Sequence, residues 1–395
     1  MSLGGASKSS RIHVLGAGAV GLLFAAHLRQ SGHPITLVLR SQAAVDRFRS
    51  NGGRIAVVNE WVRAHPSRRL LLADNTGEQL APWFAQDVQA EVAYQQQQQH
   101  QQHQKLQLHM QRAYAGAQDA VHYESNTEPE SGTIRQLILA TKAQDTLEAY
   151  WSVKQRLNAQ STVVLLQNGM GVYEAIQREF YNSPQQQSAS DPTLDTPAFI
   201  IGTNSHGCLR DTADQDSYLT RHTAMGCCQF AIRPSLLSPP PALPQSALDM
   251  LNALAALSLD ARIVNWSDLH QALLLKLAAN ATINPVTALA DCRNGYLVPP
   301  SPENTGLGRC VDQAHYKAMD SLRASACAEI AAIYARAHPH LHHELTAQAL
   351  GEYVAHVART TAMNRSSMLQ DVSAGRQTEV DWINGYLVRL GQQHG

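Results

Sequence analysis

Apolar and polar positions follow two rhythms along the chain. Near the start, Ile12, Val14 and Leu15 form a short, largely β-branched run that reads as a buried strand. Leu22, Leu23, Phe24, Ala25, Ala26 and Leu28 continue as a strong helix, which Gly32 ends. The run from Ile35 to Leu39 then reads as a second strand, completing a strand–helix–strand unit. Apolar runs at 137–140 and 163–166, with a helical stretch at 145–157 between them, repeat that rhythm and predict a parallel sheet. Shorter strand candidates lie at 55–58 and 70–72, with later ones at 199–202 and 226–232. From about residue 266 strand signals fade and helical periodicity takes over. The pattern therefore predicts an α/β domain over 11–262 and an all-α domain over 263–395.

Polar stretches interrupt this order. Gln95 to Gln104 is almost wholly glutamine and histidine. A surface insertion over about 94–132 is expected, because such a composition buries too little apolar area to offset the entropy of ordering. Tracts of this kind are more typical of eukaryotic chains. A second polar insertion is expected at 182–197, an extended proline-rich connection at 234–244, and a loop at 298–308. No unbroken apolar run approaches the roughly 18 residues of a membrane span.

Composition narrows the function classes. The 395 residues carry 31 Lys+Arg against 32 Asp+Glu, a net charge of −1. A general nucleic-acid binder would show a basic excess, so no nucleic-acid partner is expected, and no membrane partner either. Hydrophobic residues make up 44%, enough for sizeable cores. Six cysteines are scattered with no C-x-x-C pair, so neither a zinc site nor a disulfide scaffold is expected. His338, His340, His342 and His343 lie close together, but Pro339 interrupts them and no acid or cysteine completes a metal set; they read as an exposed loop. Cys227 and Cys228 read as buried sulfur in a strand. Reduced thiols and a short polar N-terminus lead us to expect a cytoplasmic protein, with a mitochondrial address left open.

The chemistry begins at the first strand–helix junction. Gly16, Gly18 and Gly21 form G-x-G-x-x-G, with Ala19 and Val20 opening the helix. In this setting the first glycine permits the tight turn, the second lets backbone approach a pyrophosphate, and the third lets helix pack on strand. The helix N-terminus adds unpaired N–H groups and a positive dipole end. Dinucleotide sites that prefer NAD carry an acid at the end of the second strand, about 20 residues on. Here that place holds Arg40 and Ser41. A guanidinium suits a 2′-phosphate, so NADP(H) is favoured, although Arg40 also reads as a solvated surface arginine. Lys142 and Asn168 stand just beyond the strands at 137–140 and 163–166, where an open sheet delivers residues to a ligand. Each reads equally as a surface lysine and an Asn-Gly turn.

In the helical half, Lys276, Asn280 and Asn284 are spaced i, i+4, i+8 among apolar neighbours, which makes a polar stripe that needs partners. Pro285 is expected to break or kink the helix at Asn284. Further on, Ser367 can cap a helix or bind a carboxylate. Glu379 and Asp381 compete for a functional role, and the sequence alone does not choose between them.

Together these motifs resemble the ketopantoate reductase (2-dehydropantoate 2-reductase) family. The matching pieces are Gly16 to Gly21, Thr141-Lys142-Ala143, Gln167-Asn168-Gly169 with Gly171, Gly202-Thr203 through His206-Gly207, Lys276 with Asn280, Asn284-Pro285, Asn294-Gly295, Ser366 to Asp371, and Thr378-Glu379 with Asp381. The resemblance implies an N-terminal Rossmann-type NADP-binding domain and an all-helical C-terminal domain. The activity implied is NADPH-dependent reduction of 2-dehydropantoate to (R)-pantoate for pantothenate and coenzyme A synthesis. By resemblance, Lys276 is the general acid and Glu379 holds the substrate or orients Lys276. Ser367, Asn280, Asn284 and Asn294 bind substrate, and Lys142 and Asn168 lie near the nicotinamide. A monomer or homodimer is expected. The family's chains usually run on beyond the counterpart of His394-Gly395 into a further helix that this sequence does not contain. Two other readings remain: an NADP-dependent reductase of another 2-oxo acid, and a non-catalytic NADPH-responsive homologue.

Overall fold

The computed structural model describes residues 10–60, 83–86, 88–92, 132–181, 196–211, 218–235, 242–299 and 313–395. The insertion expected at 94–132, all but its last residue, most of the one at 182–197, the strand candidate at 70–72 and most of the loop at 298–308 lie outside them. Contacts divide the chain into two units, Met1–Gln167 with Tyr173–Trp266, and Asn168–Val172 with Ser267–Gly395.

The first unit grows from the glycine-containing βαβ element. The strand β1 (Ile12–Leu15) is buried at every position. It feeds helix α1 (Ala19–Gln30), and strand β2 (Ile35–Leu39) returns beside β1, parallel, with Ile12 opposite Ile35. Helix α2 (Gln42–Ser50) follows, its N-terminus capped by Ser41, whose hydroxyl oxygen accepts the Ala44 N–H at 3.3 Å. Next come β3 (Ile55–Asn59), β4 (Trp83–Ala85), β5 (Gln89–Val92) and β6 (Gln136–Leu139). Then follow α3 (Ala143–Trp151), β7 (Thr162–Leu165), α4 (Val172–Tyr181), β8 (Ala198–Asn204), β9 (Gly207–Arg210), β10 (Leu219–Ala224) and β11 (Cys228–Ile232). Helix α5 (Gln245–Ala255) and strand β12 (Ala261–Ile263) close the unit.

The main sheet runs β12-β11-β8-β7-β6-β1-β2-β5. The six strands from β5 to β8 are parallel, and β11 pairs antiparallel with β8. In chain order the parallel strands read third-second-first-fourth-fifth-sixth, the doubly wound Rossmann order. Its switch point lies between β1 and β6, at the glycine turn.

A second sheet, β4-β3-β10-β9, packs on α1. This explains why Gly21 through His27 and Leu28 are buried all around the helix rather than on one face. Leu22, Leu23, Phe24 and Leu28 are fully buried, and Phe24 meets Phe230 edge-on at 6.1 Å. Burial of each such side chain contributes about 1.5–3 kcal/mol.

The second unit is helical: α6 (Trp266–Ala290), α7 (Gln313–Ala337), α8 (Ala347–Thr360), α9 (Ser367–Ser373) and α10 (Val380–His394). Two expectations need correction here. First, α6 is long and apolar enough, by length and composition, to cross a membrane, although no unbroken apolar run announced it. Leu274, Leu277, Ala278 and Ile283 bury that apolar surface in the unit's own core, as a core helix does. Second, α6 does not break at Asn284 but continues through Pro285 to Ala290. Proline cannot donate to the carbonyl four residues back, that of Ala281. Asn384 of α10 supplies the missing donor, its Nδ2 lying 2.9 Å from the Ala281 oxygen.

The histidines at 338–343 are not a plain loop: Pro339–Leu341 is a 3₁₀ turn and His338 is half-buried beside His270. Cys228 is buried in β11, whereas Cys227 is only half-buried and precedes the strand.

Candidate active site

The residues singled out in the sequence fall into two groups, one in each unit. In the first unit, Gly16 has φ +111°, and a Cβ there would sit 2.5 Å from the Ala140 carbonyl carbon. A Cβ on Gly21 would sit 1.9 Å from the Gly16 oxygen, so both glycines are required by close backbone approach. Gly18 differs, because among the described residues nothing lies within 4 Å of its Cβ position. It is the N-cap of α1 and provides no side-chain cap, and the first turn holds no acidic residue. The leading N–H groups of α1, at Ala19, Val20 and Gly21, therefore face an open position suited to a pyrophosphate. The chain fits a dinucleotide on this ground.

Two contacts from the second sheet brace the turn. Thr220 Oγ1 donates to the Ala19 carbonyl at 3.0 Å, and Arg210 of β9 donates to the Ala17 carbonyl. Arg210 thus brings a guanidinium to the glycine turn, a residue that sequence reasoning missed. Its only signal was its place shortly after His206-Gly207. Burial lowers its pKa, and its guanidinium stacks 5.2 Å from the Tyr218 ring centroid.

Arg40 follows the last residue of β2 and is 79% exposed, with Nη2 3.1 Å from Asp145 Oδ2. Lys142 is the N-cap residue of α3, directly after the segment that Gly16 packs against. Gln167 ties the ends of two neighbouring strands, its Nε2 donating to the Leu139 carbonyl at 2.8 Å.

Deeper in this unit lies a cluster of three buried histidines, His27, His206 and His222. The Gly226 N–H donates to His206 Nδ1 at 3.0 Å, so His206 carries its proton on Nε2, 2.8 Å from the Leu259 carbonyl. His222 Nε2 sits 2.9 Å from the same Nδ1. Burial, with neighbouring histidines adding to it, pushes His27 and His222 down to about 4. His206 is lowered too, chiefly by burial.

In the second unit, Lys276, Asn280 and Asn284 share one face of α6. Lys276 and Asn280 are half-buried and Asn284 is buried. Glu379 is the N-cap residue of α10, 6% exposed, whereas Asp381 is exposed. Burial thus separates two carboxylates that the sequence left undecided. Asn168 Nδ2 donates to Glu379 Oε2 at 3.3 Å, which groups Asn168 with this set rather than with the glycine turn. The Asn168 segment is held against α10, since the Met170 N–H donates to the Trp382 carbonyl at 3.0 Å. Gly169 makes that approach possible, with φ +78° and the Trp382 oxygen 2.3 Å from its Cβ position.

The cap of α9 is Ser366, not Ser367: the buried Ser366 Oγ accepts the Leu369 N–H at 3.1 Å and lies 2.7 Å from Thr287 Oγ1 of α6. Ser367 is the first helical residue and is exposed, which leaves its hydroxyl for other partners. Asn294 is buried; its Nδ2 donates to Thr361 Oγ1 at 2.8 Å, while its Oδ1 finds no hydrogen bond among the described residues. The Asn384–Ala281 bond ties the Lys276 helix to the Glu379 helix.

Comparison with known proteins places both halves of the chain in one family. The family model described as ketopantoate reductase PanE/ApbA matches residues 12–81 and 76–225, and its C-terminal counterpart matches residues 268–395. The 2-dehydropantoate 2-reductase of Vibrio cholerae is 33% identical over 261 residues, covering 66% of this chain and 71% of the relative. A probable 2-dehydropantoate 2-reductase of Schizosaccharomyces pombe is 25% identical over 400 residues, covering 98% of this chain and 92% of its own. Among solved structures, the probable 2-dehydropantoate 2-reductase panE of Bacillus subtilis superposes with TM-score 0.55 at 22% identity, covering 97% of this chain and 94% of that one. D-mandelate dehydrogenase bound to NADH and anilino(oxo)acetate superposes with TM-score 0.60 at 18% identity, covering 98% and 93%. These two likenesses speak for the fold, whereas the family models and the 33% relative speak for descent. The chain belongs to the ketopantoate reductase family of NADPH-dependent oxidoreductases.

Proposed function

We propose that this chain reduces the C2 ketone of 2-dehydropantoate to (R)-pantoate, with Lys276 as the proton donor. When bound, NADPH would supply the hydride that reduction at C2 requires. As C2 accepts it, negative charge builds on the ketone oxygen, and a cationic donor aimed there lowers the barrier. Lys276 is the residue on its face of α6 that can pass a proton to that oxygen and recover one from solvent.

The observation that carries this reading is the Asn168–Glu379 pair at 3.3 Å, in the same unit as the Lys276, Asn280 and Asn284 stripe. It keeps a buried carboxylate oriented for a substrate hydroxyl or for the lysine. Asn280, Asn284 and Ser367 hold the substrate's carboxylate and hydroxyl without adding charge. Asn294 offers an amide oxygen that accepts nothing among the described residues. Gly16, Gly18, Ala19, Val20 and Gly21 cradle the pyrophosphate, Arg40 takes the 2′-phosphate, and Lys142 lies at the mouth of that site.

The test is NADPH oxidation, followed by absorbance, with 2-dehydropantoate beside a panel of other 2-oxo acids. Preference for 2-dehydropantoate supports the reading; preference for an aryl 2-oxo acid replaces it. Lys276→Ala should lower kcat at least about 100-fold while NADPH still binds, the usual scale for a lost acid. Unchanged turnover removes Lys276 from the chemistry.

A further inference from the structure

The Arg40–Asp145 ion pair stands where its position matters more than its strength. Arg40 follows β2, and Asp145 lies in the first turn of α3, which follows β6. In the sheet, β2 and β6 flank β1 on its two sides. Neighbouring strands are about 4.8 Å apart, so the two side chains reach towards each other over a gap of about 10 Å. Their bond at 3.1 Å therefore passes over the C-terminal end of β1, above the start of the glycine turn. That is the crevice at the switch point where a doubly wound sheet takes its dinucleotide.

Asp145 is the acid that the described residues give Arg40.

We propose that Asp145 is a built-in competitor for the cofactor's 2′-phosphate and thereby sets how tightly the chain holds NADPH and NADP⁺. This rests on the reading of Arg40 as the 2′-phosphate anchor. A phosphomonoester near neutral pH carries about −1.5 to −2 charges against −1 for a carboxylate, so it wins the guanidinium when it arrives. A cofactor with only a 2′-hydroxyl has nothing to exchange and leaves the ion pair closed. On departure of the oxidised cofactor the exchange runs backwards: Asp145 retakes Arg40 and assists release. The competition is modest, because both side chains are exposed, 79% for Arg40 and 41% for Asp145, and exposed ion pairs are weak.

The experiment is fluorescence titration of NADPH and NADH against the full chain, with Asp145→Asn, Arg40→Ala and the double variant. Asp145→Asn should tighten NADPH about three- to fivefold at low salt, the upper range of an exposed ion pair lost. NADH should change less than twofold, and stopped-flow release of NADP⁺ should slow by the same factor as NADPH tightens. In the Arg40→Ala background the gain should vanish. NADPH affinity unchanged or weakened by Asp145→Asn overturns the proposal, as does an equal gain for both cofactors or a gain that survives Arg40→Ala. If Arg40→Ala alone leaves NADPH binding intact, the anchor reading itself fails. If Arg40→Ala weakens NADPH but Asp145→Asn does nothing, only the competitor fails. Both positions are exposed and Asp→Asn is isosteric, so folding is not at issue.

Discussion

Asn384→Leu isolates one hydrogen bond whose necessity the sequence itself creates. Pro285 has no N–H, so the Ala281 carbonyl loses its helical donor, and Asn384 Nδ2 replaces it at 2.9 Å. Ala281 is 7% exposed, so water is a poor substitute. Leucine fills similar space without a donor and strands that oxygen, at a cost of about 1–3 kcal/mol. Pro285→Ala restores a backbone N–H to the same carbonyl. In the Pro285→Ala background, Asn384→Leu should then cost less than about 1 kcal/mol, leaving a coupling of about 1–2 kcal/mol. Calorimetry of the four proteins reads this as melting shifts of about 2–4 °C for each kcal/mol. Turnover gives a second readout. The bond also joins the Lys276 helix to the Glu379 helix, and Pro285→Ala does not rebuild that link. Activity should therefore stay depressed in the double variant while stability recovers. An equal stability loss in both backgrounds would refute the reasoning.

Other outcomes follow from the same structure. Arg210→Ala should weaken NADPH and NADH by similar factors, since it acts at the pyrophosphate turn; titration showing loss for NADPH alone would move Arg210 to another role. Glu379→Gln should lower kcat with 2-dehydropantoate, whereas Asp381→Asn, at an exposed position, should leave steady-state kinetics nearly unchanged. Burial holds His13, His27 and His222 at about 4 in the folded chain, against about 6.5 unfolded. Between these values the unfolded chain binds more protons, so the contribution is complete above about pH 6.5 and is lost as pH falls towards 4. Thermal unfolding should therefore drop markedly between pH 7 and pH 5, and a flat melting temperature there would contradict it.

What the sequence revealed was local. The β1–α1–β2 unit and the strands β6 and β7 announce themselves because each is a short apolar run beside a glycine or a helix. Of the second sheet only β3 was legible, as the candidate at 55–58. Its β10 carries Thr220, Arg221 and His222, no clean alternation, and pairs with β3 from more than a hundred residues earlier. The one available clue was α1, apolar on every side and so in need of cover on two. Among site residues, spacing placed Lys276, Asn280 and Asn284 on one face correctly, but the rule for the residue before proline misjudged the helix. A side chain from α10, a hundred residues later in the chain, overrode it. The difference in burial between Glu379 and Asp381, two positions apart at the start of one helix, was not legible either.

The covering of α1 also has a timetable. Ala19 and Thr220 are hydrogen-bonded across a separation of 201 residues, so the sheet that hides the outer side of the glycine helix is completed late in synthesis. While the ribosome works through that interval, Leu22, Leu23 and Phe24 can be shielded on the inner side only. The dinucleotide site thus begins with β1 yet matures only once the chain has grown past Ala224, and until then its helix is a natural hold for a chaperone.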